Sequence, residues 1–263
     1  MASTHRFALV TGATSGIGAA FARALPAETN LLLTGRDTER LERMSAELQL
    51  GERTVDTLQA DLTRGEDRAR LIERAEAHGI DLLVNNAGMG QFGAVLDNDP
   101  QGEIDTTVLN CTAPVELTVR LLPAMLESAR VTGRNAGLIN VSSTFAVSPV
   151  PYVATYSASK AFILSWTEAF AEEVCREPVD VLALCPGATR TAIAGRAGLR
   201  GEVPFAADPG DVAKEGLRAL GRQTVHVCGA GSRAALTPYF VPRKLAASGL
   251  SVAMGLARRT LGR

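Results

Sequence analysis

The sequence lacks the features of a secreted or membrane-spanning protein. Among its 263 residues, no apolar run is long enough to cross a bilayer. The first residues, MASTHRFALVTGA, do not show the basic and then apolar pattern of a signal peptide. We therefore expect a cytoplasmic location.

Cysteine and histidine are scarce and dispersed. The four cysteines form no CxxC pair, and the three histidines are scattered along the chain. Zinc sites need a tighter cluster of ligands. The sequence therefore predicts no metal site, and it predicts apolar packing for the cysteines.

Lysine is nearly absent, and acidic residues are missing from the end of the chain. Only Lys160, Lys214 and Lys244 occur, and the net charge of −1 excludes a global nucleic-acid-binding charge pattern. No acid follows Glu215, whereas eight basic residues do. We expect residues 237–263 to form a helical extension that packs on protein near the substrate entrance. Peripheral contact with an anionic membrane surface is the alternative.

What the chain does contain is a regular alternation of apolar, strand-like segments with helical patterns. Several of the strand-like segments are continuously apolar, as strands buried on both faces are. Repeated β-then-α units predict a parallel sheet with helices on both faces. The predicted strands are 7–11, 30–34, 54–60, 81–86, 137–143, 180–185 and 224–228, and the predicted helices are 16–26, 37–50, 64–78, 101–130, 153–177 and 209–221. Without a linker or an internal repeat, residues 1–263 are interpreted as one doubly wound α/β domain.

Short motifs follow the predicted strands, at the edge where open α/β sheets bind ligands. A glycine-rich turn after the first strand opens a helix, an arrangement that can hold a pyrophosphate at the helix N-terminus. A tight strand-to-helix turn without a ligand is the alternative role for these glycines. The motifs in chain order are TGATSGIG at 11–18, Asp61, NNAG at 85–88, Ser143, YSASK at 156–160, and Pro186-Gly187 with Thr191.

Tyr156 and Lys160 stand one helical turn apart, so their side chains point the same way. A free tyrosine has a pKa of about 10. We expect a nearby positive charge, here the Lys160 ammonium, to lower the pKa of Tyr156 into a range useful for proton transfer. Ser143, with Ser142 as the alternative, is expected to donate to a substrate carbonyl oxygen. Taken alone, the Tyr–Lys pair fits an amphipathic helix surface equally well.

Together, these motifs resemble those of the classical short-chain dehydrogenase/reductase family. TGATSGIG, NNAG, Asn110, Ser143, YSASK and PGATRT stand in the family's order and spacing over residues 7–191. The resemblance implies a seven-stranded Rossmann-type sheet in the order 3-2-1-4-5-6-7 and hydride chemistry supplied by a nicotinamide coenzyme.

The resemblance also implies roles for individual residues. The implied catalytic residues are Asn110, Ser143, Tyr156 and Lys160. The implied coenzyme-binding residues are Gly12, Thr14, Ser15, Gly16, Ile17, Gly18, Arg36, Asp61, Leu62, Asn86, Ala87, Gly88, Tyr156, Lys160, Pro186, Gly187, Thr189 and Thr191. Asn110 would hold a water that links Lys160 to solvent, Asp61 would contact the adenine, and Thr191 would contact the carboxamide.

The residues after the second strand favour NADP(H) over NAD(H). An acid at this point bonds the ribose 2′-hydroxyl, whereas an arginine favours a 2′-phosphate. The chain has Gly35 at the acid position, followed by Arg36, whose guanidinium suits a phosphate. Helix capping or a surface ion pair is the alternative role for Arg36. We interpret Asp37 as the N-cap of the next helix.

We therefore expect an NADPH-dependent carbonyl reductase, or a secondary-alcohol dehydrogenase in the reverse direction, acting on a ketone or aldehyde. The alternatives are an NAD-dependent alcohol dehydrogenase and a catalytically silent, coenzyme-binding sensor. The family resemblance implies a homodimer or homotetramer associated through helices 101–130 and 153–177.

Residues 188–207 are expected to form a substrate lid. A mostly apolar substrate pocket is expected from residues that follow the motif-bearing strands. These are Met89, Gln91, Phe92, Phe145, Ala146, Val150, Pro151 and Ile193.

Overall fold

The computed structural model describes residues 5–49, 51–190 and 206–229. The expected C-terminal extension, residues 237–263, lies outside the described residues, as do residues 191–205 of the expected lid. Along the described chain, strands and helices alternate. The strands are β1 (Phe7–Thr11), β2 (Asn30–Gly35), β3 (Val55–Gln59), β4 (Leu82–Asn85), β5 (Ala136–Val141), β6 (Val179–Cys185) and β7 (Val225–Val227). The α-helices are α1 (Gly16–Ala24), α2 (Thr38–Leu48), α3 (Gly65–His78), α4 (Pro100–Thr107), α5 (Ala113–Thr132), α6 (Ala154–Glu173) and α7 (Pro209–Ala219).

The seven strands form one parallel sheet in the order β3-β2-β1-β4-β5-β6-β7. The strand order reverses beside β1, where Leu9 lies opposite Leu32 of β2 on one side and Leu83 of β4 on the other. This confirms the predicted Rossmann-type, doubly wound fold. In such a sheet, the crevice at the carboxyl ends of β1 and β4 is the place where ligands bind.

Helices cover both faces of the sheet, which explains the continuously apolar strands. All five residues of β1 are buried. Ala8 and Val10 pack with Phe21 of α1 on one face. Phe7 and Leu9 face the opposite side and belong to a second apolar cluster that includes residues of α3 and α5. Because each face of the sheet has its own apolar layer, the strands are fixed from both sides.

The helix predicted over 101–130 is present, but it is not α-helical throughout. A π-helical segment, Val108–Thr112, separates α4 from α5. Pro114 lies four residues after Asn110 and has no N–H to donate to the Asn110 carbonyl, so the regular α-helical bond cannot form there. Wide turns of this kind are frequent at functional sites.

Aspartate side chains cap two helix starts, and the first of these caps was predicted. The Asp37 carboxylate accepts a hydrogen bond from the Arg40 N–H at 3.0 Å and caps α2. Asp208 accepts one from the Gly210 N–H at 2.8 Å and caps α7. Among the helices of the described ranges, we find none with the length and apolar character needed to cross a membrane.

Candidate active site

Glycines build the turn between β1 and α1. Gly12 and Gly16 have φ values of 65° and 57°, which L side chains rarely adopt. A β-carbon on Gly18 would overlap the carbonyl oxygen of Gly12, so α1 starts directly against the end of β1. Ser15 is the N-cap of α1 and makes no side-chain capping bond. The first N–H groups of a helix have no partner within it, so this turn can receive a phosphate.

Asn86 fixes the glycine turn to the neighbouring strand. Its amide nitrogen Nδ2 donates to the carbonyl of Thr11 at 2.9 Å and to that of Gly12 at 3.3 Å. The Thr11 hydroxyl in turn accepts from the backbone N–H groups of Asn86 and Ala87, at 2.9 and 3.0 Å. These bonds hold the ends of β1 and β4 together, so Asn86 and Ala87 shape the predicted coenzyme crevice.

The end of β2 approaches the same turn. A β-carbon on Gly35 would lie 2.6 Å from the Thr14 methyl group, so a larger residue does not fit there. Arg36 is exposed, and no hydrogen bond or ion pair joins its guanidinium to another residue within the described ranges. Asp37 is instead engaged with Arg40, whose guanidinium lies 3.1 Å from its carboxylate. Arg36 is therefore a cation whose charge no described carboxylate neutralises by contact.

Asp61 and Leu62 follow β3 on the other side of β2. The Asp61 carboxylate accepts from the Thr63 N–H at 3.1 Å and from the Thr63 hydroxyl at 2.8 Å. Its own N–H donates to the Asp67 carboxylate at 2.7 Å. These bonds orient Asp61, while Leu62 is buried in the core below it.

Pro186, Gly187 and Thr189 follow β6. The Thr189 hydroxyl donates to the Gly187 carbonyl at 2.9 Å, and the Pro186 carbonyl accepts from the Thr144 N–H at 3.0 Å. Thr191 and Ile193 lie outside the described residues.

Helix α6 brings Tyr156 and Lys160 to the same edge of the sheet. The Lys160 ammonium donates to the Val141 carbonyl at 2.9 Å, at the end of β5. It lies 5.8 Å from the centroid of the Tyr156 ring. The Ser143 side chain lies near enough to the Tyr156 phenol to act on its pKa, in the lowering direction, by hydrogen bonding. The structure therefore brings Ser143, Tyr156 and Lys160 together, as their predicted roles require.

Ser142 and Ser143 face different partners. The Ser142 hydroxyl donates to the Lys160 backbone carbonyl at 2.8 Å, within the body of α6. The Ser143 hydroxyl accepts from the Phe145 N–H at 3.1 Å and lies beside Tyr156. This geometry favours Ser143 over Ser142 as the group that faces a substrate oxygen.

Asn110 lies in the π-helical segment and is 2% exposed. Its Nδ2 donates to the Met89 carbonyl at 2.8 Å and to the Ser159 hydroxyl at 2.9 Å, and its Oδ1 accepts from the Met89 N–H at 3.0 Å. A β-carbon on Gly88 would stand 3.2 Å from Asn110 Oδ1 and 3.3 Å from Lys160 Nζ. Asn110 and Lys160 therefore border the same small space, which the absence of a side chain at Gly88 keeps open.

Burial changes the acid–base properties of this pair. Desolvation lowers the pKa of Lys160 to about 8, and the nearby Cys111 and Cys185 thiols partly oppose that change. Burial also raises the pKa of Tyr156, while the hydrogen bond with Ser143 acts in the opposite direction. The expected lowering of the Tyr156 pKa by the Lys160 ammonium is wrong in this structure. A lysine with a pKa of about 8 is neutral where a tyrosine of raised pKa ionises, so it has no charge with which to stabilise the phenolate.

Sequence reasoning missed two residues that support the site. Ser159 accepts from Asn110 and donates to the Tyr156 carbonyl at 2.7 Å, which links the π-helical segment to α6. Gly90 lies against the Tyr156 ring, where a β-carbon would come within 2.7 Å of Cδ2. For Ser159, the signal in the sequence was a second serine inside the YSASK motif. For Gly90, the signal was only its position two residues after NNAG.

The residues expected to line the substrate pocket have different surroundings. Phe145 meets Tyr156 edge to face, with ring centroids 6.5 Å apart. Ala146 and Val150 are instead buried, and Ala146 packs against β6 and α6, so these two small apolar side chains belong to the core. The Gln91 side-chain amide donates to the Asp99 carbonyl at 2.8 Å and accepts from the Asp99 N–H at 3.2 Å, and therefore fixes a loop. The assignment of Ala146 and Val150 to the substrate pocket stays a prediction.

Comparison with known proteins agrees with this geometry. The family model described as "short chain dehydrogenase" matches residues 6–199. An uncharacterized oxidoreductase of Staphylococcus saprophyticus is 32% identical over 228 residues, covering 84% of this chain and 93% of the relative.

Two solved structures share the fold over most of their length. A short-chain dehydrogenase from Sphingobium yanoikuyae in complex with NADPH is 31% identical, with a TM-score of 0.76 over 89% of this chain and 95% of the other. A 3-ketoacyl-(acyl-carrier-protein) reductase from Brucella melitensis complexed with NADH is 26% identical, with a TM-score of 0.75 over 86% of this chain and 98% of the other. The two structures therefore contain different nicotinamide coenzymes.

Proposed function

Since this chain belongs to the short-chain dehydrogenase family, we propose that it is an NADP(H)-dependent oxidoreductase that reduces a ketone or aldehyde, or oxidises the corresponding secondary alcohol. The observation that supports this most strongly is the meeting of Ser143, Tyr156 and Lys160 beside the glycine turn. An NAD-dependent alcohol dehydrogenase is the second candidate, because the Brucella melitensis relative is a complex with NADH.

The residues present fit a dinucleotide. Gly12 and Gly18 leave the end of β1 and the start of α1 in direct contact, which is the close backbone approach that a pyrophosphate needs. Arg36 would hold the 2′-phosphate, Asp61 the adenine, and Lys160 the nicotinamide ribose. When bound, the coenzyme supplies or accepts the hydride, and the protein orients the reacting groups.

Tyr156 is the proton carrier in this proposal. Its raised pKa keeps the phenol protonated near neutral pH, which suits donation to a carbonyl oxygen during reduction. Ser143 binds the same oxygen and stabilises the negative charge that develops there. With the hydride supplied by the coenzyme, the proton from Tyr156 would complete the alcohol.

Lys160 and Asn110 would return the proton to Tyr156. The Lys160 ammonium is buried, with 5% exposure, so it needs a route to solvent. Asn110 Oδ1 borders the same space beside Gly88, where a water can accept from Lys160 and pass the proton on. Ser159 keeps Asn110 in place and is a positioning residue.

Arg36 supports a preference for NADPH over NADH. Its guanidinium is exposed beside Gly35, and the neighbouring carboxylate of Asp37 is occupied by the α2 N-terminus and Arg40. A free guanidinium at this point binds a phosphate dianion well. The Sphingobium yanoikuyae relative was solved in complex with NADPH, which is in line with this preference.

The proposal includes a homodimer or homotetramer in the cytoplasm. Exposed apolar side chains lie on the helices expected to associate, with Ile104 on α4, Val119 on α5 and Phe162 on α6. None of the four cysteines, all of which lie within the described ranges, is in a disulfide, which suits a reducing compartment. Light scattering at micromolar concentration tests the assembly, and a monomer mass contradicts it.

A substrate screen tests the proposed function. The purified chain is mixed with NADPH or NADH and a panel of ketones, aldehydes and quinones, and coenzyme absorbance is followed. We expect turnover with at least one carbonyl and a higher kcat/KM for NADPH. Binding of NADPH without turnover on any member of the panel would favour a silent sensor, and a higher kcat/KM for NADH would favour the NAD-dependent enzyme.

A further inference from the structure

A cluster of three different metal-binding side chains lies at the β7 edge of the sheet. It consists of Glu215 on α7, His226 on β7 and Cys228 just after β7. Their ligand atoms all lie within 4.8 Å of one another. Thiolate, imidazole and carboxylate are the three donors that bind Zn²⁺ in proteins.

The fold brings these residues together by its regular geometry. His226 and Cys228 are two positions apart on extended backbone, so their side chains leave the same face. The Cys228 N–H continues the parallel pairing by donating to the Cys185 carbonyl at 3.0 Å, which fixes its position. Helix α7 lies over that face and presents Glu215, whose carboxylate is 2.9 Å from His226 Nε2.

The spacing is close to that of a filled tetrahedral site. With metal–ligand distances of about 2.0–2.3 Å, neighbouring ligand atoms stand roughly 3.4–3.6 Å apart. The present cluster therefore needs a rearrangement of about 1 Å to surround an ion. The side chains of His226 and Glu215 are 16% and 31% exposed, so a water can reach the fourth position from solvent.

A further side chain orients the imidazole. The Gln223 amide nitrogen donates to His226 Nδ1, so the ring proton is on Nε2, which faces the Glu215 carboxylate. Metal binding at Nε2 moves this proton to Nδ1 and turns the Gln223 amide, so that its Oε1 accepts from the Nδ1–H. Metal-bound histidines usually have such a partner on the other ring nitrogen, because it fixes the tautomer that coordinates. The Gly229 N–H donates to the Glu215 carboxylate at 3.3 Å and supports the third ligand in the same way.

We propose that Glu215, His226 and Cys228 form a Zn²⁺ site that joins α7 to the edge strand β7. This site differs from the sequence-based expectation of no metal. Binding converts the Cys228 thiol to a thiolate and releases its proton to solvent, without a change of oxidation state. Because the ion binds the folded arrangement only, it stabilises the edge of the sheet next to Cys185 and Pro186.

The test uses the full chain without a histidine tag, and Co²⁺ as a spectroscopic substitute for Zn²⁺. We expect a thiolate-to-Co²⁺ charge-transfer band that saturates at about one equivalent and disappears when Zn²⁺ is added. Cys228→Ser should abolish the band. His226→Gln should weaken Co²⁺ binding by more than the roughly 10–100-fold that loss of an outer partner costs.

Cys175→Ser is the matched control, because Cys175 is an exposed thiol outside the cluster. It should leave the band unchanged. The proposal is overturned if the wild type shows no band, if Cys228→Ser or His226→Gln keeps the wild-type titration, or if Cys175→Ser removes the band.

Thermal unfolding of the wild type supplies a readout that does not depend on any variant. Saturating Zn²⁺ should raise Tm by at least about 2–4 °C over the value in EDTA, whereas Mg²⁺, which prefers oxygen ligands, should not. An unchanged Tm in Zn²⁺ overturns the proposal. None of these readouts requires oxidoreductase activity, so their outcome is independent of the proposed function.

Discussion

The proposed coenzyme half of the sheet edge, around Gly12 and Gly18, is shaped by backbone, whereas the proposed catalytic half, around Tyr156 and Lys160, is shaped by buried side chains. In the first half, the absence of β-carbons lets a strand end touch a helix start. In the second, Lys160 and Asn110 are bonded to the carbonyls of Val141 and Met89. Changes in the first half should therefore alter coenzyme affinity, and changes in the second should alter turnover and pH behaviour.

Replacing Tyr156 by phenylalanine tests whether turnover can be lost while coenzyme affinity is kept. Loss of the proton donor should lower kcat for carbonyl reduction by about 10²–10⁴-fold. Coenzyme affinity, measured by fluorescence or calorimetric titration, should stay within a few-fold, because the main proposed contacts lie elsewhere. Tyr152→Phe is the control and should retain most of the rate. A Tyr156→Phe enzyme with more than about a tenth of the wild-type kcat would contradict the assignment.

Lys160→Met separates stability from activity. The pKa of Lys160 in the folded state is about 8, below its ordinary value of 10.5. Keeping this lysine charged at neutral pH therefore lowers the stability of the folded state. The variant should lose activity yet be more stable than the wild type at pH 7 by up to about 3 kcal/mol.

The sign of the pH dependence follows from proton binding. Between the folded pKa of about 8 and the unfolded value of 10.5, only the unfolded wild type keeps the proton. Wild-type stability should therefore rise relative to the variant across this window, and the difference should shrink. Urea unfolding at several pH values measures it, with exposed Lys214→Met as the control. A difference that stays constant from pH 7 to pH 10 would show that the charge of Lys160 carries no such cost.

Arg36→Ala tests the coenzyme half for its reading of the 2′-phosphate. Loss of a charged hydrogen bond should weaken NADPH binding by about 1.5–3 kcal/mol. NADH binding should change far less, since it has no phosphate there. Arg43→Ala, which removes an exposed arginine farther along α2, is the matched control. Equal losses for NADPH and NADH would exclude this role for Arg36.

Gly18→Ala tests the backbone contact that defines the coenzyme half. A methyl group there would overlap the Gly12 carbonyl oxygen, and overpacking of this kind costs about 1–3 kcal/mol. Affinity for both coenzymes should fall by a similar factor, in contrast to the selective effect at Arg36. Gly65→Ala is the control, because a β-carbon there approaches only the Arg68 guanidinium, at 3.7 Å. Unchanged binding of both coenzymes by Gly18→Ala would show that this contact does not shape the site.

The same two halves differ in how well the sequence predicted them. Glycines at 12, 16 and 18, directly after a first strand, are typical of a turn that binds a dinucleotide, and the β-then-α alternation predicted the parallel sheet that the structure shows. The catalytic half depends on burial, which motifs do not reveal. The π-helical segment at Asn110, the low pKa of Lys160 and the contact of Gly90 with Tyr156 arise only when helices pack.

The cluster of Glu215, His226 and Cys228 was hidden for a related reason. His226 and Cys228 have a spacing that only extended backbone makes meaningful, and Glu215 comes from a separate helix. Spacing rules for metal sites in sequence apply to ligands on one local segment. These spacing rules do not detect ligands that a crossover connection brings to one face of a sheet.

Transfer of a label from coenzyme to product tests the central claim most directly. The wild-type chain is supplied with the best ketone of the screen and with NADPH deuterated at C4. Two separate samples carry the deuterium on opposite faces of the nicotinamide ring. We expect the alcohol from one of the two samples to carry a single deuterium on its carbinol carbon, detected by mass spectrometry. An unlabelled alcohol from both samples, or deuterium found only in water, would contradict direct hydride transfer to the carbonyl beside Tyr156.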